Sequence, residues 1–399
     1  MGILFQRRHL GDCLLLIKNG ANIKQDKGTG GIPITRIETL SGGVFNRDRL
    51  GYAGIDQPGK YESFILESGD LLFSHINSKA YIGRTVLYQK EGSEVIIHGM
   101  NLLRIKVVPE LLIPKYLYYT TLTEGFKSQV ASSRKDAVNQ SSISVSDIKR
   151  IIIPVPSLIE QQRIVDELDL LTDIIDKKNA QLRDLDALAQ SIFFEMFGDP
   201  SLNEKGWPVK IISDLFDVGS SKRVFESEWR VSGVPFYRAR EIVRLSKGEP
   251  LDDPIFIEET LFAEYKQRYG VPKTGDIMVT GVGTLGICYL VKESDRFYFK
   301  DGNTLWFKSK GLCNTRFIKD LYSTDYIKEQ IKANAHGATV GTYTIVNAKN
   351  TRVIVPPIEL QNDYVEKVLK IDAQKELINE SLKQTQQLLD SRMDYYFNE

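Results

Sequence analysis

The strongest constraint on the fold of this chain is an internal duplication with a spacing of about 200 residues. Residues 155–158 read Val-Pro-Ser-Leu and residues 355–358 read Val-Pro-Pro-Ile, and a glutamine, Gln161 or Gln361, follows each segment at the same distance. A repeat of this kind predicts two copies of one structural unit instead of a single large domain.

The match extends upstream with small shifts of register. Gly69–Leu72 corresponds to Gly275–Met278, and the segment through Asn101 corresponds to the segment through Asn303. The pattern of apolar positions persists between the copies, whereas the polar side chains differ. One scaffold that carries two sets of polar residues predicts one fold with two specificities.

Each copy ends in a segment whose apolar residues recur with heptad spacing. The apolar seam positions are spaced alternately by four and three residues, both over residues 164–196 and over residues 364–396. In the first of these ranges Lys178 is the only polar seam residue. This spacing predicts a coiled coil in which the two segments pack against each other. The first helix, from Leu158 to Met196, would be ~58 Å long at ~1.5 Å per residue, long enough to act as a spacer. The polar seam positions of the second segment are Lys375, Thr385 and Arg392.

These features divide the chain into four segments with different charges. We predict globular units over residues 1–150 and 201–350, with net charges of +6 and +3, and helical segments over residues 151–200 and 351–399, with net charges of −6 and −3. The net charge of zero for the whole chain therefore conceals basic globular units and acidic helices. Basic units can bind a polyanion while acidic helices contact another partner.

Each globular unit has the pattern of a mixed α/β fold in which short strands dominate. Leu71–Ser74 in the first unit and Ile277–Thr280 in the second are typical strand segments. One helix is predicted in each unit, near Pro114–Val130 and Asn314–Ala335.

Corresponding loops of the two units are rich in side chains that can contact nucleic acid. Arg and Lys can donate to guanine or neutralise phosphates, and Asn and Gln can form paired hydrogen bonds with adenine. We therefore predict a surface on each unit that binds double-stranded DNA. Its candidates in the first unit are Asn77, Lys79, Arg84, Arg134, Lys135, Asn139 and Gln140. Its candidates in the second unit are Lys222, Arg223, Arg238, Arg240, Thr284, Lys332, Asn334, His336 and Thr339.

Sequence motifs for catalysis are not evident. Gly281–Gly286 matches GxGxxG, but a strand follows it instead of the helix that would bind a pyrophosphate, so we predict a glycine-rich turn. The four histidines are isolated, which argues against a metal site. We therefore predict a non-catalytic protein without a cofactor or metal of its own.

The number of cysteines and the hydropathy of the chain indicate the cellular compartment of the protein. Three cysteines, an odd number without a CxxC motif, predict neither disulfides nor a zinc site. Since no run of 18 apolar residues occurs, we predict no transmembrane helix and a cytoplasmic location.

Three segments together carry a family resemblance. They are Ile152–Pro156 with Glu160–Val165, Phe193–Pro200, and Gly69–Ser74. With these segments the chain resembles the specificity subunit of type I restriction–modification systems. The resemblance covers essentially the whole chain, in the order domain, helix, domain, helix.

That resemblance implies two α/β (mixed α+β) target recognition domains joined by two long helices that form an antiparallel coiled coil. Each domain would recognise one half of a bipartite DNA sequence, and the helices would set the spacing and dock two methyltransferase subunits. Two restriction subunits could then join the complex. S-adenosylmethionine, ATP and Mg would be bound only by these partners. The candidates for partner contacts are Glu160, Gln161, Gln162 and Gln361.

Two other interpretations remain open at this stage. The duplicated units could form a protein-binding scaffold without DNA specificity, in agreement with the net charge of zero. The chain could also be a restriction enzyme that acts alone, although the absence of catalytic motifs disfavours this. Salt-dependent binding to duplex DNA would argue against the protein-binding scaffold. Cleavage or methylation of DNA by the purified chain alone would support the restriction enzyme.

Overall fold

The computed structural model of the chain describes residues 5–23, 30–136, 140–334 and 341–397. The chain forms two compact units: the first comprises residues 1–180 and 378–399, and the second comprises residues 181–377. Both units combine short strands with helices, so the predicted mixed α/β class is confirmed.

The first unit contains short strands and three short helices besides its share of the long helices. Its strands are β1 (Arg7–His9), β2 (Leu14–Asn19), β3 (Pro33–Ile34), β4 (Gly51–Tyr52), β5 (Leu71–Phe73), β6 (Ile76–Asn77), β7 (Thr85–Leu87), β8 (Leu103–Val107), β9 (Lys135–Asp136), β10 (Ser141–Ser142) and β11 (Ile152–Pro154). Its short helices are α1 (Pro114–Leu122), α2 (Glu124–Ser133) and α3 (Val145–Arg150).

An antiparallel four-stranded sheet, in the order β2-β8-β5-β7, forms the centre of the first unit. Successive side chains of a strand point to opposite faces. Leu71 and Phe73 accordingly pack in the cluster that contains the helices, whereas Leu72 packs with Val86 on the other face. All three residues of β5 are fully buried, which explains why its sequence is continuously apolar.

The second unit has its own strands and helices. The long helix α4 (Leu158–Phe197) leads into it. Its strands are β12 (Val209–Ile211), β13 (Phe216–Gly219), β14 (Val234–Tyr237), β15 (Ile255–Ile257), β16 (Ile277–Thr280), β17 (Cys288–Leu290), β18 (Tyr298–Phe299), β19 (Thr304–Ser309) and β20 (Arg352–Ile354). Its helices are α5 (Ile212–Leu215), α6 (Ala239–Lys247), α7 (Glu259–Tyr269), α8 (Thr315–Leu321), α9 (Asp325–Asn334) and α10 (Ile345–Asn350), followed by the second long helix, α11 (Ile358–Phe397).

The central sheet of the second unit repeats that of the first. Its order is β13-β19-β16-β17, and a three-stranded sheet, β15-β14-β18, accompanies it. Ile277 and Val279 face one cluster while Met278 faces another, the same alternation as in β5. Equivalent strand order and equivalent alternation confirm that the sequence repeat is a structural repeat.

The prediction of one helix per unit after this sheet was wrong. In the first unit the segment divides into α1 and α2 at Thr123, whose extended backbone ends α1 and whose Oγ1 accepts a hydrogen bond from the Phe126 amide 3.2 Å away. Threonine is a good N-cap because its hydroxyl satisfies an amide that has no partner inside the helix. The second unit shows the same division, between α8 and α9.

The helices α4 and α11 pack antiparallel within each unit, as the seam predicted. In the first unit Ile164 and Leu168 share a buried cluster with Tyr396. In the second unit the rings of Phe193 and Tyr364 meet edge to face at a centroid distance of 5.5 Å. The predicted bounds of the first helix, Leu158 to Met196, differ from the observed ones by a single residue.

The polar members of the seam have polar partners on the opposite helix. Lys178 Nζ donates to the Ser381 carbonyl at 2.9 Å, to Ser381 Oγ at 2.8 Å and to Thr385 Oγ1 at 2.6 Å. Lys375 in the second unit pairs with Asp186. Because a polar seam residue is tolerated only where it finds a partner, these pairs fix the register of the two helices. Among the described residues, none of the helices combines the length and apolar composition of a membrane span.

Candidate DNA interface and helix surface

A small sheet in the first unit brings together the two polar loops that the sequence selects. Strand β10 lies between β6 and β9, and its Ser141 pairs with Asn77 on one side and with Asp136 on the other. Lys79 follows β6, and its Nζ lies 3.7 Å from Asp136 Oδ2. Candidates from distant parts of the chain therefore share one edge of this unit.

Arg134 lies closer than Lys79 to the carboxylate of Asp136. Its Nε donates to Asp136 Oδ1 at 2.6 Å, and its side chain is only 13% exposed. Hydrogen bonds from Arg134 and Ser141 lower the pKa of Asp136 to about 2. The carboxylate thus stays charged at neutral pH and neutralises the arginine.

The remaining described candidates of the first unit are exposed, except Asn77 and Arg84, which are half-buried. Lys79 is 73% exposed, and Lys135 and Gln140 are exposed as well. The Arg84 guanidinium lies 4.5 Å from the centroid of the Tyr81 ring, a cation–π distance, and donates to the Leu40 carbonyl. Asn139 lies outside the described residues.

In the second unit the described contact at these loops is made by the segment at Tyr343. Gly281–Gly286 joins β16 to β17 as a hairpin loop, in agreement with the predicted turn, and Thr284 is exposed there. The Tyr343 amide donates to the Gly281 carbonyl at 2.9 Å, which brings the chain that follows α9 beside this loop. Lys332 and Asn334 are exposed at the end of α9, and His336 and Thr339 lie outside the described residues.

The arginine candidates of the second unit are paired with carboxylates. Arg223 Nε donates to Asp301 Oδ2 at 2.9 Å, yet its side chain is 66% exposed. Arg238 and Arg240 both donate to Glu241, which is buried. Burial acts to raise the pKa of Glu241, but the hydrogen bonds from these two arginines outweigh it and hold the pKa below its ordinary value. Lys222 is exposed, with its Nζ 5.8 Å from the Tyr269 ring centroid.

Sequence reasoning missed the turn over residues 300–303, between β18 and β19. Lys300 Nζ lies 5.7 Å from the centroid of the Trp229 ring, and the Asn303 carbonyl accepts a hydrogen bond from the Gly281 amide at 2.9 Å. The signal that could have found it is the repeat itself, which aligns Asn303 with Asn101 in the same turn of the first unit.

The four residues predicted to contact a partner fall into two classes. Glu160 binds Arg163 on the next turn of α4, at 2.6 Å and 2.9 Å, and Gln162 is exposed with its Nε2 2.7 Å from Asp166 Oδ1. These two side chains lie on the surface of the first unit, and their predicted role stays a prediction.

Gln161 and Gln361 are buried inside their own units, which corrects the prediction that they contact a partner directly. Gln161 Oε1 accepts from the Ile113 amide at 2.8 Å, and its Nε2 donates to the Leu111 and Pro156 carbonyls at 2.8 and 2.9 Å. Gln361 likewise accepts from the Asn314 amide at 2.8 Å and donates to the Pro356 carbonyl at 2.7 Å. A buried amide with its hydrogen bonds satisfied is a structural clamp, and here it ties a long helix to the globular part of its unit.

A family model described as "Type I restriction modification DNA specificity domain" matches the chain twice, over residues 4–184 and 204–387. The chain belongs to the type I restriction–modification DNA specificity family. The two matches coincide with the two structural repeats, so each unit carries one specificity domain.

Similar proteins agree with this assignment over most of the chain. A Methanocaldococcus jannaschii protein named as the specificity subunit of a type I restriction enzyme, MjaX, is 27% identical over 407 residues, 96% of this chain and 92% of the relative. A Haemophilus influenzae protein named in the same way is 25% identical over 292 residues, 72% of this chain and 71% of that protein. The crystal structure of a type I restriction–modification S subunit from M. genitalium has the same fold, with a TM-score of 0.59 at 14% identity, and covers 98% of this chain and 96% of its own.

As a member of the specificity family, the chain is a DNA-specificity subunit and not an enzyme. A reactive thiol needs a lowered pKa and some exposure. Cys13, Cys288 and Cys313 are free and buried. Burial raises the pKa of all three thiols, that of Cys313 to about 12. Among the described residues, no group of three or more His, Cys, Asp and Glu side chains is arranged to hold a metal ion.

Proposed function

We propose that each unit recognises one half of a bipartite DNA target, through the polar loops of that unit. The observation that carries this proposal is the double match to the DNA specificity domain, with corresponding polar loops in both copies. The candidates of the two units differ in side chain while the strand order is shared. Different side chains on one scaffold are what two different half-site sequences require.

The proposal gives different roles to the candidate residues that the structure describes: the exposed ones contact DNA, and the arginines bound to carboxylates position the loops. In the first unit Lys79, Lys135 and Gln140 are exposed, and in the second unit Lys222, Thr284, Lys332 and Asn334 are exposed. Exposed lysines suit phosphate contacts, and exposed amides suit contacts with base edges. The arginines bound to internal carboxylates, such as Arg134 and Arg238, position the loops.

The helices supply the contacts with other subunits in this proposal. Two methyltransferase subunits dock on the acidic segments 151–200 and 351–399, and two restriction subunits join in a complete complex. The recognition domains are residues 1–150 and 201–350. S-adenosylmethionine, ATP and Mg are held by the partners, and the complex works in the cytoplasm, where it meets DNA. The name of the M. jannaschii relative and the equivalence of α4 and α11 support this arrangement.

The test is methylome sequencing of a host that expresses the full chain with its methyltransferase partner. Lys135→Ala together with Gln140→Ala should weaken or relax recognition of one half-site only, and Lys332→Ala together with Asn334→Ala should affect only the other. Each lost base contact costs about 1–3 kcal/mol. Lys349→Ala with Asn350→Ala, exposed positions at the end of α10 and outside the docking helices and the candidate loops, is a matched control that should leave both halves unchanged. Equal weakening of both halves by either recognition variant would refute independent recognition.

A further inference from the structure

The turn over residues 300–303 occupies a central position among the polar loops of the second unit. It carries the chain from β18, in the three-stranded sheet, to β19, in the four-stranded sheet. At its start the Lys300 amide donates to the Tyr237 carbonyl at 2.8 Å, so the turn begins in register with β14.

Two of the loops selected from the sequence hold this turn from either side. On one side Ser220 Oγ accepts from the Gly302 amide at 3.3 Å, and Arg223 binds Asp301. On the other side the Gly281 amide donates to the Asn303 carbonyl. The turn therefore connects the loop at Ser220 with the hairpin loop at Gly281, and its backbone is fixed by both.

Two side chains of the turn, those of Lys300 and Asn303, differ in their contacts from the neighbouring arginines. Arg223, Arg238 and Arg240 are all bound to carboxylates. Lys300, by contrast, has no carboxylate within 4.0 Å among the described residues, and its ammonium group lies over the Trp229 ring. The Asn303 side-chain amide makes no hydrogen bond to the described part of the chain, although its backbone is anchored. An anchored backbone with an amide that makes no hydrogen bond and a cation that no carboxylate neutralises, among the described residues, is suited to a ligand with hydrogen-bonding edges and negative charge.

The first unit has the same turn at the position that the repeat predicts. The Ala21 amide donates to the His98 carbonyl at 2.7 Å, and the Gly99 amide donates to Thr35 Oγ1 at 2.9 Å, so two segments again hold the turn. Asn101 is exposed and occupies the place of Asn303. The place of Lys300 is taken by His98, which is buried, so only the asparagine is common to the two units.

We propose that Asn101 and Asn303 contact base edges in the two half-sites, and that Lys300 adds a phosphate contact in the second. The proposal rests on the proposed function and extends it to a turn outside the loops selected from the sequence. An asparagine amide can donate to and accept from adenine at once, and a good contact of this kind discriminates against the wrong base by roughly 5- to 150-fold.

The experiment compares Asn303→Ala, Asn303→Asp, Asn101→Ala and Lys300→Ala in the complete complex with its methyltransferase. Lys349→Ala and Asn350→Ala are matched controls, since both residues are exposed at the end of α10 in the second unit. Asn303→Asp keeps the shape of the side chain, so it tests the loss of the amide donor without a change of volume. Each variant is examined by methylome sequencing and by binding to a duplex that carries the methylated motif, at several salt concentrations.

We expect both Asn303 variants to relax one base position of the second half-site, and Asn101→Ala to relax one position of the first. Lys300→Ala should weaken binding to all sequences and lower the slope of log K against log salt by about 1. Variants that methylate the same motif to the same extent as the controls would overturn the proposal. A wild-type complex without a bipartite motif would instead overturn the proposed function, so the two failures are distinguishable.

Discussion

At the scale of single residues, both units bury an aspartate at the same place in the fold, but the side chain that binds its carboxylate differs. Asp70 in the first unit is buried against Arg104, with an Nη2–Oδ2 distance of 2.7 Å. Its equivalent, Asp276, accepts instead from the Trp306 indole Nε1 at 2.8 Å. Each carboxylate also accepts a backbone amide hydrogen bond from the residue three positions earlier. The buried acid is thus a constant of the fold, while its partner is an ion in one copy and a neutral donor in the other.

Removal of Arg104 should destabilise the first unit in a manner that depends on pH. Arg104→Met removes the nearer of two cations from buried Asp70 and leaves Lys106, whose Nζ lies 3.9 Å from Asp70 Oδ1, so the loss should be at most the about 3–5 kcal/mol that breaking a buried pair costs. Burial already raises the pKa of Asp70, and Arg104 counteracts this, so the variant raises the pKa further. A carboxyl group with a higher pKa in the folded state loses stability as the pH rises through that range. The deficit should therefore be larger at about pH 7.5 than at about pH 5.

The measurement is amide hydrogen exchange in β5 and β8, which reports the opening free energy of this unit alone. Glu67→Gln is the control, because Glu67 also contacts Arg104 but is 68% exposed, and exposed pairs contribute at most about 1 kcal/mol. A deficit in the Arg104 variant that is the same at both pH values would contradict the assignment of Asp70 as its cause.

At the scale of elements, the long helices combine an apolar seam with a few polar pairs that specify register. Lys178 meets Ser381 and Thr385 in the first unit, whereas the seam of the second unit carries Lys375 paired with Asp186. These pairs do not occupy equivalent positions in the repeat, since Ile378 stands at the place of Lys178. Polar seam residues of this kind lower stability and raise the specificity of pairing.

Replacement of the polar seam pair by apolar residues should therefore not weaken the helices. Lys178 and Thr385 are half-buried in the seam, so Lys178→Leu combined with Thr385→Leu should leave the unfolding free energy unchanged or raise it by less than the about 1–4 kcal/mol seen when buried ion pairs are replaced by hydrophobic residues. Urea unfolding followed by circular dichroism measures this. Lys177→Leu, an exposed neighbour outside the seam, is the control. A loss of stability in the double variant alone would show that the polar pair stabilises the helices.

At the scale of the whole molecule, charge and repeat together define the division of function. The globular segments carry +9 in total and the helical segments −9, from +6 and +3 against −6 and −3. DNA, a polyanion, is attracted to the basic globular segments and repelled by the acidic helical segments. The proposed roles of DNA recognition and partner docking therefore fall on parts of the chain with opposite charge.

The length of the helices should determine the gap between the half-sites. Removal of one heptad from the middle of both α4 and α11 shortens each helix by ~10.5 Å at ~1.5 Å per residue, while the seam keeps its phase. We expect a methylated motif with the same two half-sites and a shorter degenerate gap. Methylome sequencing of a host with this variant would measure it, and an unchanged gap would exclude the helices as the spacer.

The sequence by itself determined the duplication, the long helices and the glycine-rich turn. The helix predicted from Leu158 to Met196 matches α4 to within one residue, and the strand predicted after Gly281–Gly286 argued against a dinucleotide site. These features follow from periodicity and turn chemistry, which are encoded by neighbours in the chain. The break at Thr123 is local too, but the apolar pattern continues across it and concealed the cap.

Only the tertiary structure decided which polar side chains are free. Gln161 and Gln361 stand in the sequence as typical surface residues of a helix start, yet backbone groups from remote loops bury and bind them. Arg223 carries the charge expected of a DNA contact, but Asp301, 78 positions later in the chain, binds it, while Lys300 has no carboxylate within 4.0 Å among the described residues. The physical reason is that a hydrogen-bond or ion-pair partner is set by packing between segments distant in the chain, which local patterns do not encode.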